Sequence, residues 1–439
     1  MIRKIILFWV VLLLVTCAIS NVSSMTLLNE RQQSNKANTV KNTLDPPIVW
    51  EKTFGTFMNN DGGSYVLEIS DGYILTGYNQ ENDDYDVWVI KTDFYGEVLW
   101  DNTYGLDGYK EISNEIKQTS DGGYVIIGYR LSYGEEGNRD ILLIKIGEDG
   151  YKEWERTYSS GVDERGYSVI QTEDNGYLIL GDIYEWFGYQ NYNQKIWLIK
   201  VDEYGTIEWE KTIENNNRDE PNCMQKTRDN GYIILGKTFD SNWDSNIWLI
   251  KIDEYGYEEW EETYFNELTC WGNNIQQTHD NGFIICGKRW KNSPPRDSEL
   301  WLLKIDEYGY EEWEVTYGSM RDDEGSFVQQ TSDGGYIVTG YTNGISDGQN
   351  YEFEIWLVKT NEYGEKIWDR NHGRDAIVSS GDCIQQTSDG GYIVTGDKGT
   401  DVWLAKTDAD GKINTARQNS LKTIIENRLF IFLQKLLKI

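Results

Sequence analysis

The residues of this 439-residue chain that could do chemistry are few in type: two histidines, a handful of cysteines, and a large surplus of carboxylates. His279 sits in a turn whose counterparts carry Ser120, Glu173, Arg228, Ser332 and Ser388, and His372 stands where related segments end in Tyr. Neither has the spacing of a metal ligand set or a catalytic triad. With 73 acidic and 41 basic side chains, a net charge of −32, carboxylate pairs are everywhere and their mere presence carries little information. Turns such as Asp121-Gly122-Gly123 lack the Lys-Ser/Thr of a phosphate loop and the Asp-x-Asp spacing of a calcium loop, so they read as structural hairpin turns. Asp163, Asp219, Asp322 and Asp323 lie in loops where converging carboxylates would suit weak Ca²⁺ binding. Arg165, Arg218 and Arg321 beside them favour solvated charge instead. The inventory points to no catalytic residue and no cofactor. The expectation is therefore a protein that binds rather than an enzyme.

Cys223 and Cys383 occupy the same repeat position in different copies and should not pair. Cys270 and Cys286 share a copy, but pairing the strands about His279–Gly282 puts Cys286 opposite Ile275, so buried free thiols are expected.

What positions these residues is a repeat. Segments such as Gln118-Thr-Ser-Asp-Gly-Gly-Tyr-Val-Ile-Ile-Gly128 recur with closing glycines at 77, 128, 181, 236, 287, 340 and 396. Each is followed by an apolar run with Trp at 88, 197, 248, 301, 356 and 403, or Leu142 in the second copy, and a second Trp recurs at 100, 154, 209, 260, 313 and 368, with Trp50 preceding them all. Short β-branched and aromatic runs separated by Asp-Gly-Gly and Asp-Glu-Tyr-Gly turns make four strands per copy. Seven such copies predict an all-β chain, a seven-bladed β-propeller of four-stranded antiparallel blades over 46–410. Ile48–Phe54 is expected to complete the last blade as its outer strand and so remove an exposed edge.

The order of Gly-Gly-Tyr-Ile-Val-Thr-Gly, Ile-Trp-Leu-Val-Lys and Gly-Glu-Lys-Ile-Trp resembles secreted prokaryotic β-propeller repeat proteins of the quinoprotein-like (WD/YVTN-like) superfamily. The resemblance covers residues 48 to about 410 and implies the fold, with an innermost strand such as Cys383–Thr387. It does not extend to a quinone, whose cofactor and metal ligands have no match in this sequence.

Residues 1–20 read as a signal peptide: Arg3 and Lys4, an apolar run from Ile5 to Val15, then small residues at Ala18–Ser20. An uncleaved anchor and lipidation of Cys17 are the alternatives. Residues 21–45 form a polar linker without periodicity. Residues 411–439 carry six Lys/Arg against one Glu, and their leucines, isoleucines and Phe432 recur at helical spacing, which predicts a basic amphipathic helical tail. The helix over 421–439 would suit contact with a membrane surface or docking on its own propeller.

Long, variable connections between second and third strands, and between copies, emerge on one face, where specificity usually resides. Trp186, Trp243, Trp271 and Trp290 lie outside the framework and fall in these connections, with Tyr184 and Tyr189 close to the first. Exposed aromatics of this kind stack on sugar rings or dock proteins. The sequence-based expectation is a monomeric, secreted or cell-surface, non-catalytic binding module for a glycan or a cell-surface protein. Nucleic acid is excluded by charge. The alternatives are a structural cell-envelope component and a propeller hydrolase or dehydrogenase.

Overall fold

The computed structural model describes residues 48–413, apart from short stretches at 56–58, 82–83, 133–137, 189–190, 216–217, 240–244, 265–268, 292–296, 319–320, 345–351 and 374–378. The signal at 1–20, the linker at 21–45 and nearly all of the 411–439 tail lie outside the described residues, as do Trp243 and Tyr189. The described residues form strands, turns and loops, with no helix among them.

Each repeat becomes a four-stranded antiparallel unit. In chain order these are unit 1 (62–104), unit 2 (109–158), unit 3 (163–213), unit 4 (219–264), unit 5 (270–317), unit 6 (323–372) and unit 7 (379–407). Units 1 and 2 are joined into one eight-stranded sheet by a single parallel pair, Tyr85 with Lys110. Unit 7 takes its fourth strand from the start of the chain: Trp50–Phe54 pairs antiparallel with Asp401–Thr407, and Trp403 donates from Nε1 to Glu51 at 3.1 Å. The first strands of successive units pack on one another, and that of unit 1 also packs on that of unit 7. The architecture is β-propeller-like. Its first strands enclose a cavity of about 250 Å³ lined by Tyr65, Glu115, Lys117, Cys223, Phe327 and Cys383 among others.

Apolar residues on both faces of the middle strands explain the stacking of units. Val125, Ile127 and Leu143 of unit 2 pack with Val169, Ile179 and Trp197 of unit 3, and Val66, Leu75 and Ile90 of unit 1 pack with Ile393 and Leu404 of unit 7. The fourth-strand Trp reaches the second strand of the following unit edge-on, as in Trp154–Tyr177 and Trp368–Tyr392 at 5.9 and 6.0 Å. At the end of the same strand Tyr104 and Tyr158 donate to the carbonyls of Gly150 and Gly205 in the next unit. His372 replaces this Tyr, and its Nε2 lies 3.1 Å from Gly411 O, so it keeps the tie between units. His279 is an exposed turn residue whose N–H donates to Gln330.

One buried lysine per unit organises the turn end. Lys91, Lys145, Lys200, Lys251, Lys304, Lys359 and Lys406 are all buried, and each bridges the aspartate of its own first turn, from 3.1 Å at Asp71 to 2.8 Å at Asp174. The facing backbone carbonyl explains the invariant last glycine of that turn: a Cβ at Gly123 would meet Ile146 O at 2.4 Å, with Lys145 Nζ next at 2.6 Å. The preceding position is left-handed, φ 86° at Gly122 and 66° at Asn175, which only Gly and Asn accept cheaply.

All four cysteines of the described residues are free, three of them buried and Cys223 half-buried. Cys286 lies opposite Asn274 rather than Ile275. The Thr278–Gly282 turn closes with Thr278 N–H donating to Gly282 O, one residue longer than a four-residue turn from His279 would be.

Candidate functional site

On the side away from the turns, one residue beyond the cavity lining, a backbone irregularity shapes the rim, or mouth. Every first strand bulges at the same place, from Gly63/Tyr65 in unit 1 to Gly381/Cys383 in unit 7. A bulge re-aims one side chain out of the ladder. The bulged residues are Ser64, Asn114, Tyr167, Asn222, Asn273, Ser326 and Asp382. Where the residue is Asn, its amide donates across to the next unit: Asn114 to Gly166 O at 2.7 Å, Asn222 to Gly272 O, and Asn273 to Gly325 O at 2.9 Å. An ionised carboxylate cannot make that donation, whereas a protonated one can. Unit 7 therefore differs in kind, because its bulged residue is Asp382.

On the facing strand of unit 7, Asp397 stands opposite Ser380. Its Oδ1 accepts from Gly63 N at 3.0 Å, and Ser380 Oγ donates to Asp382 at 3.4 Å. Burial pushes the Asp382 carboxyl well above the usual range, and the negative charge of Asp397 beside it pushes further. Burial lifts Asp397 to about 6, against the Gly63 N–H that favours its ionised form. Two neighbouring carboxyls that resist ionising together hold one proton between them near neutrality.

Polar groups continue around the mouth. Glu324 of unit 6 accepts from Tyr341 OH at 2.7 Å and from Asn273 at 2.7 Å, and pairs with Lys288 at 2.5 Å. Lys237 pairs with Glu220 at 2.8 Å. In unit 3, Asp182 is fully buried and accepts from Tyr167 OH, Gln194 and Arg165 N at 3.1, 2.6 and 2.9 Å. Burial raises Asp182 to about 6, partly offset by the Arg165 charge. Tyr78, beside Asp397, is pushed up to about 12 by burial and then by that carboxylate.

The sequence-predicted aromatics divide into two groups. Trp271 and Trp290 come together, edge to face at 5.0 Å, and both sit within strands, Cys270–Gln277 and Phe283–Trp290. The ring of Trp271 is already engaged: Lys237 and Lys288 lie 4.4 and 4.3 Å from its centroid, and its Nε1 donates to Ser245. Trp186 is 69% exposed and lines a different cleft with Tyr184, Leu131 and Arg139. It too belongs to a strand, Tyr177–Gly188, because the hairpin register runs on to Trp186 opposite Tyr192. The aspartates considered for Ca²⁺ cap separate backbone segments. Asp163 accepts from Arg139 N, Asp219 from Asn215 N, Asp322 from Ser298 N, and Asp323 from Thr342 Oγ1. Among the described residues no three His, Cys, Asp or Glu side chains gather as a metal set.

No family model matches the chain, and no curated protein matches it. Solved structures do. A puromycin hydrolase is similar at 9% identity over 76% of this chain and 50% of that one, with a TM-score of 0.50. A Dyadobacter fermentans protein of unknown function is similar at 10% identity, covering 69% of this chain and 100% of its own, with a TM-score of 0.44. A Hadza microbial sialidase is similar at 10% identity, 73% and 72% coverage and a TM-score of 0.44. At such identities the likeness concerns the fold.

The likeness to a puromycin hydrolase corrects the expectation of a non-catalytic binding module, because the same fold serves there in an enzyme. The absence of histidine chemistry does not exclude an enzyme, because a carboxyl pair placed by a bulge needs no His.

Proposed function

We propose that the protein is a seven-bladed β-propeller hydrolase whose acid and base are Asp382 and Asp397, with the seven four-stranded units as its blades. One observation carries this reading: two aspartates of a single hairpin at the channel mouth both hold their protons above the ordinary carboxylate range. In hydrolysis the ionised member takes a proton from water as the water oxygen attacks. The protonated member gives its proton to the departing oxygen or nitrogen. Lys288 neutralises Glu324 beside Asp382, and Lys237 neutralises Glu220 in unit 4, which suits a polar, uncharged substrate portion. The strand motifs support a place in the quinoprotein-like superfamily, and the segment at 1–20 supports action outside the cytoplasm.

The test is turnover of chromogenic glycosides, esters and peptide anilides by the purified chain and by its Asp382→Asn and Asp397→Asn variants. Each variant should lose about 10²–10⁴-fold in kcat/KM. Activity should rise as pH passes about 6, when Asp397 ionises to serve as the base, and fall only at higher pH, where Asp382 gives up the remaining proton. Turnover of a substrate that is indifferent to both substitutions would sink the proposal.

A further inference from the structure

We propose that residues 414–439 dock in cis, as an amphipathic helix, on the turn-end rim of units 6, 7 and 1. The starting observation is a break in the lysine framework. In units 2–5 the residue before the fourth-strand Trp is glutamate, and it gives the buried lysine a second carboxylate: Lys145–Glu153 at 3.3 Å, Lys200–Glu208 at 2.7 Å, Lys251–Glu259 at 2.6 Å and Lys304–Glu312 at 2.8 Å. In units 6, 7 and 1 the same position holds Ile367, Val49 and Leu99. Ile367 is 56% exposed and Leu99 52%, with Val98 and Ile48 beside them also exposed. A charged position has become an aliphatic one in three neighbouring units. Exposed apolar side chains occur on other units as well, Ile207 among them, but only here do aliphatics replace the glutamate, and such a surface suits an apolar cover.

The point where the chain leaves the propeller identifies the cover. The turn at 408–412 belongs to unit 7, between the other two, and Ile413 directly after it packs on the cluster containing Trp403 and Ile337. The segment therefore starts at the centre of the patch. Its 26 residues would span about 39 Å as a helix, enough to cross neighbouring units. Leu421, Ile425, Leu429, Phe432 and Leu436 fall on one stripe to meet the aliphatics. Lys422, Arg428 and Lys435 would flank it, against the exposed carboxylates Glu97, Glu362 and Glu365 on the rim. The sign of the charge and the apolar match both favour the chain's own tail.

The experiment is limited trypsin digestion of the full chain, following cleavage at Lys422, Arg428 and Lys435. A docked tail is cut slowly, and the Leu99→Glu/Ile367→Glu variant should be cut about tenfold faster. Glutamate is what units 2–5 carry there, so its unfolding midpoint should stay unchanged. A tail-side variant, Leu429→Glu/Leu436→Glu, leaves every described residue intact and should show the same acceleration. Equal rates in all three proteins overturn the proposal. It also fails if sedimentation shows a dimer that the rim variant dissociates, or if protection appears only with phosphatidylglycerol vesicles, since a second copy or a membrane would then be the occupant.

Discussion

The two ends of the channel use the same backbone and opposite side-chain strategies. At the turn end, a buried lysine, a turn aspartate and a glycine repeat in every unit, so one solution serves seven times. At the mouth the bulge repeats but its residue does not: Asn in three units, Ser in two, Tyr167 and Asp382 in the others. Residues that repeat are those the fold needs in every unit. The residues that stop repeating on an unchanged backbone are the ones free to take up chemistry.

The largest effect on stability should come from breaking the ring where first and last strands meet. Trp403 is fully buried, packs among Leu357, Ile384 and Ala405, and holds Glu51. Trp403→Ala should cost about 3–5 kcal/mol, read from urea unfolding of the whole chain. A smaller effect separates the two ends by pH. Burial raises Glu111 to about 7 and Asp182 to about 6, both on the mouth side. The folded state therefore binds these protons more tightly than the unfolded state does. Their stabilisation is complete below about pH 4 and is lost as pH rises through 6–7. The turn aspartates Asp121 and Asp174, held near 2 despite slight burial by their threonine and lysine partners, act only below that window. The thermal midpoint should thus be higher at pH 5 than at pH 8, and a flat profile between them would contradict the assignment. The smallest effect is expected at Trp186, where substitution by Ala should change stability by less than about 0.5 kcal/mol, because the ring stands in solvent.

Much of the framework was legible in the sequence because it is periodic. The closing glycines, the paired Trp positions and the missing outer strand of the last unit fixed the sheet order, and Trp50–Phe54 takes its place on the last unit. The strand ends were not legible. Variable connections looked like loops, yet hairpin register carries Trp186 and Trp290 into strands, because nothing in a single copy reveals how far a ladder runs past its last apolar residue. The site was half visible. Aligning the copies sets Asp382 against Asn114, Asn222 and Asn273, a substitution that removes a donor at a fixed bulge. Its pairing with Asp397 appears only when the hairpin closes on the edge of unit 1.

The central claim is that unit 7 carries an acid and a base at the mouth. The most direct measurement is the pH dependence of kcat/KM for any hydrolysed substrate, in the parent chain and in Asp397→Asn, with unfolding midpoints recorded alongside. The expected result is a rise in activity through about pH 6 in the parent, as Asp397 ionises while Asp382 keeps its proton, and activity lost about 100-fold or more in a variant that remains folded. An unchanged profile and rate in the folded Asp397→Asn protein would contradict it.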